Sequence, residues 1–418
     1  MVVAVVGTAA IADDGCIIAV DARDGRQRWA WRPAPAGNRP APGNMAALAG
    51  VTAGAGIVVV PTGRTLGGAA GTAAFPIVTG LAGLDMRTGR QRWARTVGDD
   101  GQALPAVVAA HRVIVSEADG TVMGLAAATG SRLWADPRPP GCRPGTGTAS
   151  ESGLTPGSSV LAGGQLVTVV YRCGAFPEVA GVDPVTGARR WVWRAPNGSV
   201  VNAATPAGPA PGVVALLGGG FSQAAAAHRG NWPLGPVGYQ IAQVVALDVA
   251  TGRPVWQLGG VPPSAEVFAG ADRFCVASQF GVECLRPRSG TEAWQWRPAV
   301  VPGNGGPGAS LGGVTAASGR LYLVAPTVAA GRINANSTTQ RAAPGMFHLR
   351  IMDMATGQVA GDLPLPAYYG DPQPIYPGST GGVVVSVRSP PGAMAAGAGL
   401  VFVDPQLEAS DVMEAFAG

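Results

Sequence analysis

The chain contains no lysine, so every one of its 29 basic side chains is an arginine, set against 25 acids for a net charge of +4. A basic balance can serve nucleic acid or an anionic membrane, but these arginines flank tryptophans (Arg26, Arg28, Arg32; Arg189, Arg190, Arg194) and form no dense run. That pattern fits charges guarding exposed outer strands, and no nucleic-acid partner is expected. Histidine is almost as scarce: His111, His228 and His348 lie far apart without metal-ligand spacing, so no metal centre is expected. No run of 18 apolar residues occurs, so nothing within the chain reads as a membrane-spanning helix. Ser152 and Ser222 lack the G-x-S-x-G setting of a hydrolase, and Gly218-Gly219-Gly220 has no lysine to make a phosphate loop.

What the chain has instead is glycine (64), proline (37) and a phrase that it repeats. The clearest copy is VVALDVATGRPVWQL at 244–258, in which an apolar run ends at Asp248, a turn closes on Thr251 and Gly252, and Trp256 follows in a second run. This is a hairpin: Gly252 supplies the positive φ of a type I turn with a bulge, and Asp248 and Thr251 hydrogen-bond the turn's own amides. Copies at 19–29, 83–93, 124–134, 181–191, 284–294 and 351–361 make seven, the last without its Trp. An eighth, LVFVDPQ at 400–406, lacks the turn glycine and the Trp strand. The turn glycines Gly25, Gly89, Gly130, Gly187, Gly252, Gly290 and Gly357 are 38 to 67 residues apart. A repeat of that length cannot bury its apolar face alone and must stack on its neighbours. Residues 1–418 are therefore expected to form one all-β domain, a single β-propeller of eight four-stranded blades, with seven the alternative. Its first and last blades are incomplete and close the ring.

Nine of the ten tryptophans lie in the strand after the turn. Trp29, Trp93, Trp134, Trp191, Trp256 and Trp294 are thus expected to be structural wedges between blades. Only Trp232 stands outside. The unit from Trp191 to Trp256 resolves into strands near 202–207, 213–217, 243–248 and 253–257, here A to D. Connections from A to B and from C to D are short, whereas the long ones, such as 62–76, 136–158 and 218–240, run from B to C or from D to the next A. In an antiparallel blade these emerge on one end, which makes that face the candidate binding surface. The longest, 218–240, gathers His228, Arg229, Asn231, Trp232 and Tyr239 as candidate ligand or partner contacts; a loop that merely packs on its neighbours is the alternative.

Five cysteines remain. Cys275 and Cys284 occupy mirror positions about a turn, within disulfide reach on adjacent strands, and Cys142 and Cys173 in the connections flanking one blade form a second expected pair. Buried free thiols are the alternative, and Cys16 is left over. Paired cysteines favour an extracytoplasmic setting. The apolar stretch from Met1 to Ala12 reads as a strand without a positive n-region, so an upstream signal or membrane anchor is expected ahead of the given start.

The phrase A-x-D-x-x-T-G-x-x-x-W resembles that of the quinoprotein-like β-propellers, whose members include pyrroloquinoline quinone dehydrogenases and the propeller lipoprotein of the outer-membrane assembly machinery. The resemblance implies inter-blade tryptophan docking over nearly the whole chain. Quinone dehydrogenases of that family pair adjacent cysteines over the cofactor and hold a metal with carboxylates. This sequence has no adjacent cysteines and spends its aspartates in turns, so neither pyrroloquinoline quinone nor another cofactor is expected. The expectation is a monomeric, non-catalytic extracytoplasmic scaffold or sensor for a protein, peptide or cell-envelope ligand. A quinone-dependent sugar or alcohol dehydrogenase is the alternative.

Overall fold

The computed structural model describes residues 2–6, 16–20, 27–31, 52–66, 75–96, 106–117, 119–144, 160–163, 166–173, 176–195, 200–203, 212–219, 228–229, 242–261, 265–269, 272–278, 281–297, 313–317, 319–326, 341–342, 347–364, 368–369, 373–377, 383–387, 399–403 and 413–416. Every regular element among them is a strand.

The turn sets the hairpin. In the copy ending at Trp93, Gly89 takes φ 69° and its amide donates to Asp85 O at 2.8 Å, while Asp85 N donates to Arg90 O at 2.8 Å. The Asp85 carboxylate accepts from the amides of Arg87 (3.0 Å) and Thr88 (2.8 Å) and from the Thr88 hydroxyl (2.9 Å). Asp183, Asp248 and Asp353 bind their own turn amides in the same way. Two turns place Ala126 and Arg286 where the others have Asp, yet keep the same backbone bonds to Gly130 and Gly290. There the hydroxyl pairs Thr129–Ser131 and Ser289–Thr291, each 2.8 Å apart, brace the turn instead. The positive-φ glycine makes the bulge of the turn itself, where Gly89 and Arg90 both face Asp85, and a separate one-residue register shift follows in each hairpin, as between Gly83 and Leu84.

Each hairpin sits in an antiparallel sheet, named here by its tryptophan. The Trp29 sheet has three strands, Val2–Val6, Cys16–Val20 and Gln27–Trp31. The Trp93 sheet comprises Thr52–Gly54, Ile57–Leu66, Phe75–Asp85 and Gln91–Thr96, and the Trp134 sheet Ala106–Ala109, Arg112–Ser116, Val122–Ala126 and Arg132–Asp136. In the Trp191 sheet, Val160–Gly163, Leu166–Cys173, Phe176–Val182 and Arg189–Arg194 are joined by the short strand Cys142–Pro144. The Trp256 sheet holds Val200–Ala203, Val213–Gly219, Ala242–Asp248 and Pro254–Val261, and the Trp294 sheet Glu266–Ala269, Phe274–Ser278, Gly281–Leu285 and Glu292–Trp296. Two sheets without a docking tryptophan follow: Gly313–Ala317, Arg320–Pro326, Phe347–Asp353 and Val359–Pro364, then Gln373–Pro377, Val383–Val387, Gly399–Val403 and Met413–Phe416. A two-stranded ribbon pairs Arg341–Ala342 with Tyr368–Tyr369.

The sheets stack in sequence order around their first strands. Thr52–Gly54 lies against Ala106–Ala109, which lies against Val160–Gly163, and Gly313–Ala317 lies between Glu266–Ala269 and Gln373–Pro377. Val2–Val6 approaches Val383–Val387. This is a single β-propeller, and its core is a series of interfaces rather than one centre. Ile57, Val59, Leu81, Val113, Val115 and Leu125, for example, seal the Trp93 sheet against the Trp134 sheet, each at most 1% exposed. One connection is shorter than the sequence suggests. Much of 62–76 continues as strand, because a bulge at Thr62 and Gly63 lets the ladder run on to Leu66 opposite Phe75.

Candidate functional site

The tryptophans are consumed by the scaffold. Trp29, Trp93, Trp134, Trp191, Trp256 and Trp294 each donate Nε1–H to a carbonyl of the next sheet's turn, respectively Met86, Ala127, Pro184, Val249, Pro287 and Met354, at 2.6 to 3.1 Å. Each ring also covers the next turn glycine so closely that a Cβ at Gly89, Gly130, Gly187, Gly252, Gly290 or Gly357 would lie 2.5 or 2.6 Å from it. Within its own sheet, Trp93 lies over Gly83, where a Cβ would fall 2.1 Å away. Each of the six tryptophans thus links its own sheet to the turn of the next, and Gly25 lies outside the described residues.

The candidate contacts of 218–240 divide. His228 and Arg229 form a two-residue strand parallel to Pro254–Val261, with His228 opposite Leu258 and Arg229 opposite Gly259. Their backbone thus covers the outer edge of the Trp256 sheet, where otherwise unpaired N–H and C=O groups invite an added strand. Asn231, Trp232 and Tyr239 lie outside the described residues.

A different site is built on the Trp191 sheet. Cross-strand partners there share a face: Cys142, Cys173 and Phe176 in one rung; Tyr171, Glu178 and Arg194 in the next; Ala180 with Val192 beyond. The first rung lies at the end opposite the Asp183–Gly187 turn, so it belongs to the face from which B-to-C and D-to-A connections emerge. Above it, the segment Pro139-Pro140-Gly141 trails from the Trp134 sheet. Of these, Pro139 to Cys142, Cys173, Phe176, Glu178, Val192 and Arg194, joined by Arg189 and Ala195, bound a groove of about 850 Å³. Phe176 and Val192 are 45% and 48% exposed on its wall.

Charge frames the groove. Arg194 Nε donates to Glu178 Oε1 at 2.7 Å. Arg189 grips Asp136 of the preceding sheet with two bonds, at 2.6 and 3.0 Å, and donates to Pro137 O at 2.6 Å. Its guanidinium lies 5.6 Å from the ring centre of Tyr171, whose hydroxyl is pushed up to about 12 by burial. For Arg189 burial acts downward, but the Asp136 carboxylate outweighs it and raises the pKa. The groove is thus rimmed by the Arg189–Asp136 and Arg194–Glu178 ion pairs, with apolar side chains between them.

Cys142 and Cys173 form a disulfide, and so do Cys275 and Cys284, the two pairings expected from spacing. The sequence pattern puts both Cys142 and Cys173 in connections, but both lie in strands, Cys173 as the last residue of Leu166–Cys173. Residues 142–144 in fact pair with Leu166–Cys173, because the inner strand Val160–Gly163 covers only the first half of that longer strand. That cysteine pair was the one sequence signal pointing to the groove. Phe176, Glu178, Val192 and Arg194 were not legible as site residues, since a strand pattern alone does not show which edge a neighbouring segment will overhang.

The tryptophan-docked sheets define the class as a β-propeller. Residues 13–206 match the family described as outer membrane protein assembly factor BamB, a PQQ-like propeller family. No curated protein matches the chain. Among solved structures, BamB from Moraxella catarrhalis aligns at 15% identity and TM-score 0.48 over 96% of this chain and 95% of that one. A europium-containing methanol dehydrogenase aligns at 12% identity and TM-score 0.46, over 87% of this chain and 77% of that one. The quinohemoprotein alcohol dehydrogenase from Comamonas testosteroni aligns at 14% and 0.46, over 87% and 66%.

Proposed function

We propose that this propeller is a non-catalytic extracytoplasmic scaffold that holds a protein or cell-envelope ligand on its long-loop face. The observation that carries the reading is the groove on that face, where Phe176 and Val192 are presented to solvent beside the Glu178–Arg194 pair. Exposed apolar side chains rimmed by directed polar groups are what partner surfaces use. The repeat's carboxylates support it from the other side: Asp85, Asp183, Asp248 and Asp353 are bound to their own turns and are not spare ligands for a metal. In this reading the ring has eight blades, with Val2–Val6 against Val383–Val387 at closure, and seven is the competing count. The two disulfides favour an oxidising compartment, and the protein acts as a monomer.

The alternative, a quinone-dependent alcohol or sugar dehydrogenase, has the family in its favour. Adding pyrroloquinoline quinone with calcium to purified protein separates the two. The scaffold reading expects no bound-quinone absorbance and no dye-linked alcohol oxidation, and either signal overturns it. Cross-linking from a photoreactive group placed at Val192 should meanwhile yield a defined adduct in cell-envelope preparations, whereas the same group at Val185 should not.

A further inference from the structure

The two disulfides differ in access. Cys275 and Cys284 are both wholly buried between sheets, at 0% exposure. Cys173 is partly exposed, and both it and Cys142 line the groove. Beside them stands Glu178, and its carboxylate oxygen and the two sulfurs all lie within 4.8 Å of one another. We propose that Cys142, Cys173 and Glu178 form a redox-gated site for a thiophilic divalent cation such as zinc.

The gate is a two-electron reduction by a dithiol. Its thiolate attacks one sulfur of the Cys142–Cys173 bond, the mixed disulfide forms, and the second thiol of the reductant displaces that sulfur as the reductant closes to its own disulfide. The two electrons and two protons leave Cys142 and Cys173 as thiols. Cation binding then releases both protons, because the ligand is the thiolate.

The geometry needs little movement. Tetrahedral thiolate ligands about 2.3 Å from zinc lie roughly 3.8 Å from each other, a separation that directly opposed strand residues reach by rotating their side chains. Cys142 sits at the start of a three-residue strand, Cys142–Pro144, so the opening is local. Glu178 is now held by Arg194, whose side chain is 75% exposed. The arginine can turn away into solvent and leave the Glu178 carboxylate, itself 11% exposed, to a cation. Two sulfurs and one oxygen leave a fourth position facing the groove, the pattern of a site that keeps a water or takes a ligand.

The test uses the full chain with Cys16→Ser as background, so that the remaining cysteine cannot contribute. Dithiothreitol under native conditions should free Cys142 and Cys173 to alkylation while Cys275 and Cys284 stay bridged, with the far-ultraviolet spectrum unchanged. Cadmium alone should then bind one per chain with the ultraviolet absorption of two thiolates, and reoxidation should abolish it. Cys142→Ser should remove the absorption, and Glu178→Gln should keep it but weaken binding, because a neutral amide replaces the carboxylate ligand. A bridge that resists reduction, a fold that collapses on reduction, absorption that survives Cys142→Ser, or unaltered affinity in Glu178→Gln would each overturn the proposal.

Discussion

Trp93 is bound to the turn of the next sheet at two points: its indole N–H donates to Ala127 O at 2.9 Å, and its ring fills the space a Cβ at Gly130 would enter, 2.6 Å away. The ring is only 7% exposed, so it is both the seal and the latch of that interface. Trp93→Ala should cost about 3 to 5 kcal/mol, as for other large buried aromatics. Gly130→Ala should also destabilise, because φ 68° strains the alanine and its methyl meets the ring. Thermal unfolding of both variants beside Val192→Ala, which is half exposed, checks this. Equal melting temperatures for Trp93→Ala and Val192→Ala would show that the latch contributes nothing.

These latches explain what could be read beforehand. A turn that needs Asp, Thr and Gly at fixed offsets is local chemistry, so strands such as 243–248 were placed within a residue of their observed ends at Ala242–Asp248. The wedge role of Trp256 followed from recurrence, since only a stacked repeat explains a large aromatic at the same offset in each copy. The groove was harder. It depends on where Pro139–Cys142 crosses the Trp191 sheet, and no local pattern in 136–158 encodes that crossing. The path of His228 and Arg229 along a sheet edge was hidden for the same reason.

The turns also set an acid limit. Asp85 is lowered to about 2, first by the Arg92 guanidinium and then by Thr88, and Asp183, Asp248 and Asp353 are lowered as well. A carboxyl whose folded pKa is depressed contributes stability that is fully present above its unfolded value and is lost as pH falls through the folded one. Stability should therefore be level down to about pH 4 and then fall between the unfolded value of 3.8 and about 2. Asp85→Asn should be less stable at neutral pH and should lose less over that acid interval. Parallel acid titrations followed by tryptophan fluorescence decide it, and superimposable curves would remove Asp85 from the account.

Shortening 220–240 to a Gly-Ser turn should leave the propeller folded. Closure entropy changes only logarithmically with loop length, so the cost is on the order of 1 kcal/mol. The strands Val213–Gly219 and Ala242–Asp248 pair with each other along their whole length and do not need the segment between them. Loss of the far-ultraviolet strand spectrum would show that His228 and Arg229 hold the edge of the Trp256 sheet structurally rather than merely covering it.

The binding face itself can be tested by a matched pair of surfaces. Phe176 and Val192 are 45% and 48% exposed on the groove wall, and Val185 is 52% exposed at the tip of the opposite Asp183–Gly187 turn. Removing apolar surface from either place costs the fold little, since these side chains already face water. Partner binding is a different matter, because the few residues that dominate an interface are those that bury large apolar area next to directed charges, here Glu178 and Arg194. Phe176→Ser combined with Val192→Ser should therefore weaken binding of the partner identified by Val192 cross-linking by about tenfold or more, corresponding to roughly 1.4 kcal/mol. Val185→Ser should leave it unchanged. Binding isotherms of the three proteins at one salt concentration give the answer, and a loss confined to Val185→Ser would move the site to the turn face.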